Sequence, residues 1–154
     1  MNWMDLYQSL GKQPDISEVL ETNQESQKYG LILKASEAQE IISARNQSVK
    51  SHGRIELGSE LISKIITLFC RSPFMRREEY TMIINELIDI FYYFKNETRD
   101  LVGDDELLVV MNEFFNNSCQ GSLELLRSRE LVLYARELRS NLLKRDNDRE
   151  VEQK

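Results

Sequence analysis

The chain has 154 residues, 41% hydrophobic and 30% charged, with six Gly, two Pro and a formal charge of −6. These values fit one helix-rich globular domain that buries roughly 70% of the surface its unfolded chain exposes, and they exclude a disordered or repeat-built chain. No third of the sequence is basic, so the footprint of a nucleic-acid or anionic-membrane binder is missing, and one histidine, His52, leaves little room for zinc or histidine acid–base chemistry.

Residues 1–14 read as an arm. Trp3, Leu6, Tyr7 and Leu10 stand at the spacing of a helix that lays one face into a groove, and they are the candidate partner-binding residues. Such an arm folds back on its own chain, docks on a second copy, or meets another protein; Gln13-Pro14 after Gly11 permits a hinge. The start lacks the basic-then-apolar pattern of a signal peptide, and no apolar run approaches the ~18 residues of a membrane span. Cys70 and Cys119 match no metal spacing, so a cytoplasmic protein with reduced thiols is expected.

Asp15-Ile16-Ser17-Glu18 has the residues of a capping box, opening a helix that should stop by Gly30. Ser36-Glu37-Ala38-Gln39 is a second box, for a helix with Ala38, Ile41, Ile42, Arg45 and Val49 on one side and Gly53 as its stop. Between them, residues 31–33 and 54–57 look extended and are candidates for a minor two-stranded ribbon. Ser59 is the expected cap of a helix carrying Leu61, Ile62, Ile65, Ile66 and Phe69, which Ser72-Pro73 ends.

The longest helix is expected from about Arg76 to about Leu101, apolar nearly all the way round, as a central helix requires. Asp104 should cap a helix with Leu107, Leu108, Met111, Phe114 and Phe115 inward. Gly121-Ser122 reads as a helix stop followed by an N-cap. Ser128 is expected to open the last helix, with Leu131, Tyr134, Ala135, Leu138 and Leu142 on one face. Residues 146–154 have almost nothing to bury and should fray.

Glu86 and Asp89 lie on one strip of the central helix, with Glu97 further along. The plain reading makes that strip the wet edge of the helix. The sharper one uses carboxylates at i and i+3 to hold Mg²⁺ or Mn²⁺ through oxygen. Glu86-x-x-Asp89 resembles the metal-binding half of the all-α nucleoside-triphosphate pyrophosphohydrolases, but the upstream Glu-x-x-Glu they pair it with is absent at the right distance; Glu56 and Glu60 fall there at the wrong spacing. Cys70, at the end of an apolar helix, reads as a small core residue. Cys119, in a turn whose backbone N–H groups can lower a thiol pKa, is a candidate nucleophile, against which the single candidate base, His52, reads as a helix-ending cap. Arg71, Arg76 and Arg77 form a local basic cluster that Glu78 and Glu79 balance.

Tyr29-Gly30-Leu31, Gly53-Arg54-Ile55-Glu56, Phe69-Cys70-Arg71-Ser72-Pro73-Phe74, Phe91-Tyr92-Tyr93-Phe94-Lys95-Asn96-Glu97, Asp104-Asp105-Glu106-Leu107 and Gly121-Ser122-Leu123 resemble a family of short uncharacterised proteins from Gram-positive bacteria. The resemblance covers about residues 29–126 and implies no activity and no site residue.

The expected fold class is all-α: a compact bundle of about six or seven helices around a central helix at about 76–101. One domain spans 1–154, with a short arm (1–14) and a frayed tail (146–154). The expected function is a non-catalytic interaction or adaptor role with another protein or a second copy, needing no cofactor, nucleic acid or membrane. The competing class is a metal-dependent phosphohydrolase on Glu86 and Asp89, with Glu97 or Glu60 as third acid.

Overall fold

The computed structural model describes the backbone of residues 15–152 and the side chains of residues 15–145. The arm with Trp3, Leu6, Tyr7 and Leu10 lies outside them. The chain is all-α, with no strand among the described residues. It divides into two compact units between Tyr92 and Tyr93, inside one helix.

In the first unit, Asp15 caps α1 (Ile16–Glu21), its carboxylate accepting the Ser17 N–H at 2.9 Å. Thr22 interrupts the helix, its hydroxyl donating to the Val19 carbonyl within hydrogen-bond distance, and α2 (Asn23–Ser26) and a 3₁₀ turn (Gln27–Tyr29) follow. Gly30 ends the run at φ 75°, a left-handed conformation that suits glycine.

The next helix, α3 (Ala35–Ser51), starts earlier than the Ser36 box predicts. Glu37 reaches back to accept the Lys34 N–H at 2.9 Å, so Lys34 takes the cap position. Its expected inward residues, Ala38, Ile41, Ile42, Arg45 and Val49, are all buried. Helix α4 (Glu60–Phe69) buries all five of its predicted apolar residues. Ser59 stands at the cap position, but its hydroxyl is turned to the Glu18 carboxylate rather than to its own helix. Helix α1 packs on α3 and α4, and α3 packs on α4.

The predicted ribbon does not form. Residues 31–33 and 54–57 lie outside any helix but make no ladder with each other. Side chains take the place of a neighbouring strand: the Asn23 carboxamide accepts the Leu33 N–H at 2.8 Å and donates to the Leu33 carbonyl at 3.0 Å. Ser26 donates to the Leu31 carbonyl at 2.7 Å. Leu31 and Leu33 are buried with Ile32 exposed between them, the alternation of extended backbone.

Helix α5 (Tyr80–Glu97) is the predicted central helix, shorter than expected at both ends. A 3₁₀ turn (Arg77–Glu79) precedes it, and after Glu97 the backbone turns through left-handed Arg99 and Asp100. Its buried side chains go nearly all the way round: Tyr80, Ile83, Ile84, Leu87, Ile88, Ile90, Phe91, Tyr92 and Phe94.

In the second unit the buried Lys95 amine ties down the turn that ends α5. Nζ donates to the Val102 carbonyl at 2.7 Å and pairs with Asp104 at 2.9 Å. Helix α6 (Asp104–Asn116) carries Asp104, Asp105 and Glu106 in its first turn, where the helix dipole favours acids, and Gly103 holds the cap position predicted for Asp104. Leu107, Leu108, Met111 and Phe115 are buried; Phe114 is half-buried, edge-on to Tyr134 at 6.3 Å.

Ser122 caps α7 (Leu123–Leu125) as predicted, accepting the Leu125 N–H at 3.2 Å. Ser128 does not open a new helix. It lies in a π-helical segment (Leu126–Glu130) that runs on into α8 (Leu131–Glu152), and its hydroxyl donates to the Glu124 carbonyl at 2.6 Å. That back-bond satisfies the hydroxyl without breaking the chain of turns. Helix α8, not α5, is the longest described, and it continues into the stretch expected to fray.

Candidate functional site

The most concentrated polar chemistry of the first unit lies where α3, α5 and the loop after α3 meet. Residues three and four apart share one face of a helix. On α3 that face carries Arg45 and Ser48, with His52 next in series at the cap that ends the helix, and on α5 Asp89 and Tyr92. Asp89 Oδ1 accepts from Ser48 Oγ at 2.7 Å and lies 2.9 Å from His52 Nε2. His52 therefore has two roles. Its backbone N–H donates to the Ser48 carbonyl at 3.0 Å, the helix-ending position expected of it, while its ring ties α3 to α5.

One turn away, Arg45 is 1% exposed on an otherwise apolar stripe. Its Nε donates to Asn46 Oδ1 at 3.0 Å, whereas its two terminal nitrogens and the buried Tyr92 hydroxyl make no hydrogen bond. Burial pushes the Tyr92 phenol far above its ordinary range; the Glu56 carboxylate raises it further, and the Arg45 guanidinium opposes the rise. Glu56 and Arg45 therefore both lie close enough to Tyr92 for its hydroxyl to feel their charge.

Glu56 sits on the loop Gly53–Gly58, whose end glycines hold φ 66° and φ 79°. Between them the chain forms no helix, and exposure alternates along it. Arg54 and Glu56 are half-buried, while Ile55 is 91% and Leu57 41% exposed.

The acids read as metal ligands have protein contacts of their own. Asp89 is half-exposed and held by Ser48 and His52, so the strip expected to be wholly wet is anchored to α3 at that point. Glu86 is half-buried. Glu97, in the second unit, meets Arg139, whose guanidinium donates to the Glu97 carbonyl at 2.7 Å and stands 3.4 Å from its carboxylate. Among the described residues no group of three or more His, Cys, Asp or Glu could hold a metal ion.

Both thiols are buried, and burial pushes each above its ordinary value, the reverse of an activated nucleophile. In the basic cluster Arg76 pairs with Glu79 at 2.8 Å as expected, whereas Arg71 reaches Glu25 of α2 at 3.3 Å. Two grooves accompany these features. An acidic one of about 310 Å³ in the first unit is lined by Glu18, Glu21, Glu25, Ser63 and Thr67 among others, and a smaller apolar one in the second by Leu101, Leu138, Asn141, Leu142 and Arg145.

Arg45, Ser48, Glu56 and Tyr92 were not among the site residues read from sequence. For Arg45 the signal was present, an arginine in register with Ala38, Ile41, Ile42 and Val49. A charge on a core stripe demands a partner. Glu56 carried no such signal, because a loop residue's direction depends on the path of the backbone.

The all-α architecture matches the class of protein that the sequence implies, and the chain belongs to DUF6323, a family of unknown function whose profile matches residues 18–144. No curated protein and no solved structure matches the chain.

Proposed function

We propose that this chain is a non-catalytic interaction or adaptor protein that binds another protein, with the Gly53–Gly58 loop as a docking element. The observation that carries this reading is Ile55, 91% exposed between two left-handed glycines, with Leu57 also exposed two residues on. One exposed apolar residue needs no explanation, but two at alternate positions of a loop outside any helix offer a partner both side-chain anchors and backbone groups. That is how a peptide strand or sheet edge is recognised. Burying each side chain contributes about 1.5–3 kcal/mol. The raised thiols and the internal contacts of Asp89 support a binding role over chemistry at those groups. Trp3, Leu6, Tyr7 and Leu10 are proposed as a second contact surface on their spacing alone.

Affinity purification from the native host, with partners identified by mass spectrometry, tests this when run with the full chain and with Ile55→Asp/Leu57→Asp. The recovered partner, once purified, is expected to bind the double variant at least tenfold more weakly in calorimetry. Equal affinity would remove the loop from the interface. Titration of the chain with Mn²⁺ separates this reading from metal-dependent hydrolysis, which requires the ion to bind.

A further inference from the structure

A guanidinium carries five N–H donors and stays charged at any pH a folded protein survives. Arg45 has one of them engaged, by Asn46, and is 1% exposed. Its terminal nitrogens are sealed from solvent without an acceptor, and so is the Tyr92 hydroxyl beside it. A buried charge left uncompensated is among the largest single penalties a fold can carry, so such donors mark a place built for an anion. Asp89, one turn before Tyr92 on α5, is already engaged by Ser48 and His52. Glu56 is half-buried between the exposed Ile55 and Leu57, and it is the carboxylate whose charge is felt at the Tyr92 hydroxyl.

We infer that the terminal nitrogens of Arg45 and the hydroxyl of Tyr92 form a carboxylate-binding site whose occupant is Glu56 of the same chain. A carboxylate fits the donors. Its two oxygens accept the parallel N–H pair of a guanidinium, and a lone pair remains for a phenol. Closing this contact fixes the middle of the Gly53–Gly58 loop, whose ends are glycines and whose other half-buried side chain is Arg54. The site is a property of the free protein and does not depend on the loop's proposed partner.

The test is chemical rescue, read as thermal stability of the full chain. Glu56→Ala is expected to lower Tm by about 5 °C or more, as for loss of one member of a buried pair. Sodium formate should then restore a large part of the loss, because a ligand of the native state raises Tm by mass action. Sodium chloride at equal ionic strength should not. Wild type, with the site filled, should respond to formate no more than to chloride. Neither Arg45→Met/Glu56→Ala nor Tyr92→Phe/Glu56→Ala should recover as Glu56→Ala does, and the second double variant decides the matter if the first fails to fold. Glu56→Ala as stable as wild type, formate acting no better than chloride, or equal rescue in a double variant would each overturn the inference.

Discussion

Asp89 shows how one side chain changes role once its neighbours are known. On sequence it is an acid on a strip of helix facing water, whose removal should cost little. In the structure it joins α3 to α5 through Ser48 and His52, with its side chain 44% exposed. Hydrogen bonds to charged groups contribute more than neutral ones, but solvent at a half-exposed site screens them. Asp89→Ala is therefore expected to cost about 1–2 kcal/mol in urea denaturation, more than a surface acid and less than a core residue. A change under a few tenths would show that the two contacts contribute nothing net. Phe91, 1% exposed on the same helix, sets the upper comparison: Phe91→Ala should cost about 3–5 kcal/mol by lost burial and the cavity left behind.

Between elements, the extended connections depend on side chains and glycines rather than on a sheet. Asn23 holds both backbone groups of Leu33, and that residue's side chain is buried. Asn23→Ala would leave a half-buried N–H and C=O without partners, so a loss of about 1–3 kcal/mol is expected by denaturant titration. Asn23→Asp keeps the acceptor for the Leu33 N–H and loses the donor, and should fall between the two. Gly58 tests the backbone alone. A Cβ there would meet nothing within 4 Å, yet φ is 79°. Gly58→Ala should thus destabilise by about 1–2 kcal/mol through conformation and not through contact. A silent Gly58→Ala would mean that the loop takes up another path at no cost. The π segment at Leu126–Glu130 follows the same logic: the Ser128 hydroxyl finds its acceptor within the helix, so a residue type that favours caps is carried through without a break.

Among the described residues, the groups that burial perturbs most clearly shift in one direction. Cys70, Cys119, Tyr80, Tyr92 and Tyr134 are all held neutral by burial, above ordinary values of 9.0 for the thiols and 10.0 for the phenols. A native pKa raised above the unfolded one contributes stability that is complete below the unfolded pKa and lost as pH rises beyond it. The thiols begin to withdraw that contribution near pH 9.0 and the phenols near pH 10.0, because the unfolded chain ionises first. Urea midpoints should therefore fall steeply above pH 10.0, and Tyr92→Phe should flatten the slope there even if it lowers the midpoint at neutral pH. A slope unchanged by Tyr92→Phe would place that phenol in water. No helix of the described residues is long and apolar enough to cross a membrane.

What the sequence by itself determined is the set of inward faces. Ala38, Ile41, Ile42 and Val49 on α3, the five apolar residues of α4, and the nearly continuous apolar girth of α5 were legible because helical spacing alone puts them on one side. The glycine stop at Gly30 and the Gly121-Ser122 stop and cap were legible for an equally local reason. Only the tertiary structure decided where polar groups find partners. Lys34 rather than Ser36 at the start of α3, Asn23 in place of a strand beside Leu33, Asp89 against Ser48 and His52, and Arg45 and Glu56 each near Tyr92 all depend on which backbone passes which side chain. Burial of apolar surface is non-directional and can be read from periodicity, whereas a hydrogen bond or ion pair needs particular atoms within about 3 Å of each other. Residues 10 to 41 apart in the chain, as in Asn23–Leu33 and Ser48–Asp89, reach that distance only when the fold brings them together.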